Sequence, residues 1–138
     1  MGNKMKNKEI MDEMKKRYPE KFVSEAKIFS HIHRGDRIFI GTGCGEPQYL
    51  VRALIYYGET HPKAFFDAEV LHVWSLGIAP YTDEKFKYNF RHNSFFIENN
   101  TRDSINRGEA DYTPIFLSKV PDLFYRGLVP IHVALIQT

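Results

Sequence analysis

The sequence predicts an α/β domain built on an open, mainly parallel sheet with flanking helices. Two observations carry this. Short apolar runs rich in β-branched residues alternate with stretches of helical periodicity, joined by connections of about two to six residues. The last run, Ile131 to Gln137, sets Ile131, Val133 and Leu135 on one face and His132, Ala134 and Ile136 on the other. A strand mostly apolar on both faces belongs under helices.

The elements follow in order. Residues ~5–17 are charged, with Ile10, Met11 and Met14 at helical spacing, so a peripheral helix is expected, ended by Tyr18-Pro19. Ser24 to Ile32 carries Ala26, Ile28, Phe29 and Ile32, a second helix closed by Gly35. Arg34-Gly35-Asp36 reads as a turn. Arg37 to Ile40 is a short strand running into a glycine-rich loop. Pro47 then sits in the first turn of a helix striped by Leu50, Val51, Leu54 and Ile55, with Gly58 as its stop. Val70 to Leu76 reads as a strand. Thr82 caps a helix with Asp83 and Glu84 in its first turn. Ser94 to Ile97 is strand-like, Thr101 caps a short helix ending near Gly108, and Tyr112 to Phe116 is extended, weakened by Pro114. Ser118 caps a helix ending at Gly127. No repeat or linker interrupts the chain, so the expected organisation is an N-terminal helix over 1–20 and one α/β domain over 21–138. The last strand either lies at an edge covered by earlier helices or is followed by more chain, and the second is preferred. An unpaired apolar strand, with Phe95, Phe96, Phe116 and Tyr125 available for contacts, predicts a homo-oligomer.

Charge and cysteine usage exclude several classes. Nineteen basic against seventeen acidic residues leave +2, too little for a nucleic-acid binder. The lysines near the start read as a solvated helix face. Cys44 is the single cysteine, so no internal disulfide forms and a cytoplasmic location is expected. No apolar run approaches the ~18 residues of a membrane span, and no apolar signal core follows the first lysines.

The segment richest in chemistry is Gly41-Thr42-Gly43-Cys44-Gly45-Glu46-Pro47-Gln48. A strand enters it and a helix leaves it. Glycines allow sharp turning and close ligand approach, and N–H groups free at a helix start favour a phosphate or an oxyanion. The loop is therefore either a ligand cradle or a tight turn. A dinucleotide fingerprint would want glycine where Glu46 stands, and no Gly-Lys-Ser/Thr follows for a phosphate loop. Cys44 reads as a small residue filling a crowded loop, because no base partner can be named for it. Glu46 reads as a solvated first-turn acid. The six histidines form no metal-ligand set; His72 and His132 read as satisfied core or face residues, while His92 stands out because it follows Arg91 just before Ser94-Phe95-Phe96. Arg102, just after the Thr101 cap, is either a surface residue or an anion contact.

The string Arg37-Ile38-Phe39-Ile40-Gly41-Thr42-Gly43-Cys44-Gly45-Glu46-Pro47-Gln48 resembles the first strand and loop of the acetyl-CoA hydrolase/transferase family, which includes 4-hydroxybutyrate and butyrate CoA-transferases. Ala79 to Glu84, Phe90 to Phe96, Ala110 to Ser118 and Pro130 to Gln137 resemble later segments of it, in order, from about residue 20 onward. The resemblance implies a CoA-transferase-like N-terminal domain. It implies that CoA moves from an acyl-CoA such as acetyl-CoA to a short-chain carboxylate through a glutamyl-CoA thioester. The family's glutamate belongs to a second, C-terminal domain and matches nothing here, so no catalytic residue is assigned. This chain alone is then expected to be inactive, and CoA is a substrate rather than a cofactor. The resemblance carries substrate contacts onto Gly43, Cys44, Gly45, Glu46, Pro47 and Gln48, and onto Tyr81, Asn93 and Arg102. It leaves open an acyl-CoA hydrolase of the same family. A non-catalytic module for CoA or acyl groups, or a sugar-phosphate isomerase of related fold, would need other evidence; no sugar-phosphate motif is found.

Overall fold

A computed structural model of the chain describes residues 2–137. Helices α1 (Gly2–Arg17), α2 (Glu25–Phe29), α3 (Gln48–Thr60), α4 (Asn99–Asn106) and α5 (Val120–Tyr125) alternate with strands β1 (Arg37–Ile40), β2 (Ala68–His72), β3 (Phe90–Ser94), β4 (Asp111–Tyr112) and β5 (Val133–Leu135). The strands form one sheet in the order β4-β3-β2-β1-β5, and every neighbouring pair is parallel. The fold is the open α/β sheet expected from the alternation.

Alternating side chains give the sheet two different faces. Ile38, Ile40, Ala68, Val70, Phe90 and Leu135 point one way and bury against Val51, Leu54 and Ile55 of α3 and against Phe29 and Phe65. Leu71 on the other face joins Phe95 and Val120, with Phe39 and Phe124 packed alongside. The ring centroids of Phe39 and Phe124 lie 5.7 Å apart, nearly edge to face, a favoured aromatic geometry. This second face also holds a row of polar contacts: Arg37 Nε donates to Glu69 Oε2 at 2.6 Å, and Asn93 Nδ2 donates to Glu69 Oε1 at 2.9 Å. The row ties β1, β2 and β3 across the sheet.

Several boundaries differ from the sequence reading. Strand β2 ends at His72, not Leu76, because Trp74 turns away to hydrogen-bond Thr42. Strand β3 ends at Ser94, where the reading had it begin. Gly58 does not stop α3; it is buried, and a Cβ there would lie 3.6 Å from the Phe65 ring. Pro47 precedes the first turn of α3 as its N-cap. Thr82 caps no helix: its hydroxyl donates back to Ala79 O at 2.7 Å between two short 3-10 turns, Pro80–Thr82 and Glu84–Phe86. Glu98, not Thr101, precedes α4, and Ser118 lies in a 3-10 turn ahead of α5. Strand β5 is an edge strand with one covered face: Leu135 is buried, whereas Ala134 and Ile136 are exposed. Phe95 is core, not surface, while Phe116 and Tyr125 are 82% and 90% exposed. Among the described residues, no helix is long and apolar enough to cross a membrane.

Candidate functional site

In open α/β sheets ligands bind beyond the carboxyl ends of the strands. Here β1 and β2 deliver two loops to that end, residues 41–47 and 73–79, which are laced together. Gly41 is required by close approach: a Cβ would sit 3.0 Å from Gly45 O. Gly43 has φ +59°, the left-handed region that favours glycine. Its N–H donates to Trp74 O at 2.9 Å. The Thr42 hydroxyl accepts from Trp74 N at 2.6 Å and also donates to Trp74 O. Gln48 Oε1 accepts from Ile78 N at 3.2 Å. Asn100, on the first turn of α4, donates to Gly77 O at 2.8 Å and Ser75 Oγ at 3.2 Å.

Glu46 lies at the centre of this lacing. It is not the solvated acid expected: it is 5% exposed. Its carboxylate accepts from Ser75 Oγ, Leu76 N and Gly77 N at 3.1, 3.1 and 2.9 Å. Glu46 precedes the helix and points into the gap between two loops, a placement that tertiary structure alone creates. Cys44 also departs from expectation, since it is exposed at the tip rather than packed in a crowded loop. Nor does the loop form the open cradle of N–H groups. Those of Gly45 and Glu46 donate within a 3-10 turn over Gly43–Gly45, that of Gln48 donates to Glu46 O, and those of Gly41 and Gly43 donate to Leu135 O and Trp74 O.

Beside the laced loops opens a cleft of 410 Å³ lined by Thr42, Val73, Trp74, Phe96, Glu98 and Leu117. Its walls are almost entirely apolar, with Glu98 the one acid among them. A larger hollow of 580 Å³, bordered by Phe29, Tyr57 and His61, lies at the other end of α3. That helix runs back from the carboxyl to the amino ends of the strands, so the hollow is remote from the place where such folds bind ligands.

Under the loops lies a buried polar cluster. Tyr81, 2% exposed, brings its hydroxyl to His72 Nε2 at 2.5 Å. His72 and His92 stand edge to face, ring centroids 5.4 Å apart. Neither ring nitrogen of His92, nor Nδ1 of His72, meets a partner among the described residues, so His72 is the core residue expected but is satisfied only at Nε2, by Tyr81. Burial, reinforced by the charge His92 would carry, pushes His72 down to about 3. Burial also pushes His92 down to about 4, with Asp111 acting weakly in the opposite sense. Both rings are neutral at pH 7. Burial, and then the Glu46 charge, hold the Tyr81 hydroxyl far above the usual phenol range.

Of the residues assigned from resemblance, Gly43, Cys44, Gly45, Glu46, Pro47 and Gln48 thus come together with the second loop. Tyr81 packs instead on His72 and His92. Asn93 hydrogen-bonds none of the loop residues: it lies on the sheet face of Leu71, away from Tyr81 and His72, held by Glu69 and by the Thr113 hydroxyl, each at 2.9 Å. Arg102 is exposed on α4. Trp74, Ser75 and Asn100 were missed. Extending the second strand to Leu76 hid them, whereas a strand ended at His72 would have put Trp74 and Ser75 at the carboxyl edge. Among the described residues no group of three or more His, Cys, Asp or Glu could hold a metal.

The chain matches the acetyl-CoA hydrolase/transferase N-terminal domain over residues 4–138. It belongs to that family. The match begins within α1, earlier than residue 20. Over 120 residues the chain is 39% identical to the 4-hydroxybutyrate coenzyme A transferase of Clostridium kluyveri, covering 87% of this chain and 27% of that protein. Over 121 residues it is 35% identical to the succinyl-CoA:acetate/propanoyl-CoA:succinate CoA transferase of Fasciola hepatica, covering 88% and 24%. The chain therefore spans about a quarter of the length of these curated relatives. RipA from Yersinia pestis superposes with a TM-score of 0.71 at 20% identity, over 86% of this chain and 29% of that one. A mutant RipA structure gives 0.74 at 22% identity, over 86% and 28%. At such identity the likeness shows the fold alone.

Proposed function

We propose that this chain is the N-terminal domain of a CoA-transferase that moves CoA from an acyl-CoA, such as acetyl-CoA, to a short carboxylate. A glutamate outside these residues attacks the thioester carbonyl and displaces the CoA thiolate, leaving an acyl-glutamyl anhydride. The thiolate then attacks the glutamyl carbonyl, releases the first carboxylate and leaves a glutamyl-CoA thioester. The acceptor carboxylate reverses both steps. The part played by this domain is to shape the acyl pocket.

The observation that carries this reading is the apolar cleft at the carboxyl ends of β1 and β2, set beside the family's glycine loop. Within the laced loops the buried acid, Glu46, is already occupied: it accepts from a hydroxyl and two peptide N–H groups. The exposed face of Cys44 and Gly45 meets the substrate, while Pro47, Gln48 and Tyr81 hold the scaffold behind it. Arg102 is assigned to the anionic part of CoA. The exposed Phe116 and Tyr125 and the edge strand β5 serve contacts with the second domain or another copy in the cytoplasm.

The test compares this chain with the complete enzyme, using acetyl-CoA and a panel of 4-hydroxybutyrate, succinate and propionate. The complete enzyme turns over at ~1–1000 per second and the chain alone does not. Release of CoA without an acceptor would mark a hydrolase. Transfer by the chain alone would refute the assignment of the nucleophile to another domain.

A further inference from the structure

Glu46 is a buried acid whose partners are a hydroxyl and two peptide N–H groups rather than a cation. No lysine, arginine or histidine pairs with it among the described residues. A carboxylate taken out of water is costly unless hydrogen bonds replace the lost solvation, so the three donors must stay in place. All three come from consecutive residues of the second loop, Ser75, Leu76 and Gly77. Trp74 immediately precedes them, is 42% exposed, and walls the cleft. Its ring lies 3.7 Å from where a Cβ on Gly43 would stand. The carboxylate therefore joins the glycine loop to the loop that carries the indole.

We propose that Glu46 is a positioning residue: its carboxylate draws residues 75–77 onto the glycine loop and so sets the indole of Trp74 that bounds the acyl cleft. The effect on acyl-CoA rests on the CoA-transferase reading; the effect on Trp74 does not. The geometry makes an unusual demand on substitution. Glutamine keeps the length of the side chain, its carbonyl can accept from Leu76 and Gly77, and its amide can donate to Ser75. Aspartate keeps the charge but is one methylene too short to reach all three donors. A positioning role ranks E46Q above E46D, whereas a role as base or nucleophile ranks E46D above E46Q.

Two measurements test this. Trp74 is the only tryptophan of the chain, so acrylamide quenching of the isolated chain reads the indole directly. Quenching is expected to rise in E46D and E46A and to stay closer to native in E46Q. In the complete enzyme, E46D is expected to raise KM for acetyl-CoA at least about fivefold, the counterpart of leaving buried donors unpaired, with E46Q less affected. A merely structural loss would instead lower apparent kcat, through fewer folded molecules, at unchanged KM. Should E46A fail to fold, Ser75→Ala removes one donor without touching Glu46 and is expected to move quenching and KM the same way by less. Quenching as high in E46Q as in E46D, or activity kept in E46D and lost in E46Q, would overturn the proposal. A complete enzyme that transfers no CoA would instead overturn the functional reading, while the quenching series still decides on Glu46.

Discussion

Replacing His92 with phenylalanine isolates the contribution of a buried neutral histidine to acid sensitivity. The ring is 1% exposed and neither nitrogen is partnered among the described residues. Burial holds its pKa at about 4, against an ordinary value of 6.5. Between those two values the unfolded chain binds a proton that the folded chain refuses, so stability falls as pH falls through that window. The contribution is fully present above pH 6.5 and is lost as pH approaches 4. A drop from 6.5 to about 4 is worth ~3 kcal/mol, a large part of the ~5–15 kcal/mol that holds a domain together. His92→Phe keeps a ring of similar size against Tyr81 and His72, whose centroids lie 5.3 and 5.4 Å away. It also removes two nitrogens that lack partners. Urea unfolding followed by circular dichroism at pH 7, 6, 5 and 4.5 gives the test. His92→Phe should equal or exceed the native chain at pH 7, and its advantage should widen as pH falls. An advantage that does not grow between pH 7 and 4.5 would refute the argument, since carboxylates that titrate in both proteins cancel in the difference.

The remaining predictions concern the loop. Gly43→Ala forces a side chain into φ +59° and should cost ~1–2 kcal/mol in unfolding free energy. Gly45→Ala, with open space around the added carbon and no positive φ, should stay within ~0.5 kcal/mol of native; equal costs at the two positions would contradict the described backbone. Cys44→Ala should leave unfolding within ~0.5 kcal/mol, and the native thiol, exposed at the loop tip, should react fully with a thiol reagent without denaturant. A thiol that reacts only after unfolding would place Cys44 inside.

The alternation of apolar runs with helical stripes was enough to determine the open parallel sheet, because side-chain period and burial are local consequences of strand and helix geometry. Arg37–Ile40, the helix behind it and the glycine loop were legible for the same reason, and the ordered segments from Arg37 to Gln137 were enough to indicate the family. Which residues meet across the loops was not legible. Glu46 reads as a surface acid until Ser75, Leu76 and Gly77 arrive from about thirty residues away, and His72 reads as satisfied until burial leaves its Nδ1 without a partner among the described residues. Asn93, which the resemblance carries to the site, follows buried His92 by one residue, and one step along a strand turns its side chain to the opposite face. Burial and hydrogen-bond partners are properties of distant chain segments brought together, so only the tertiary structure decided them.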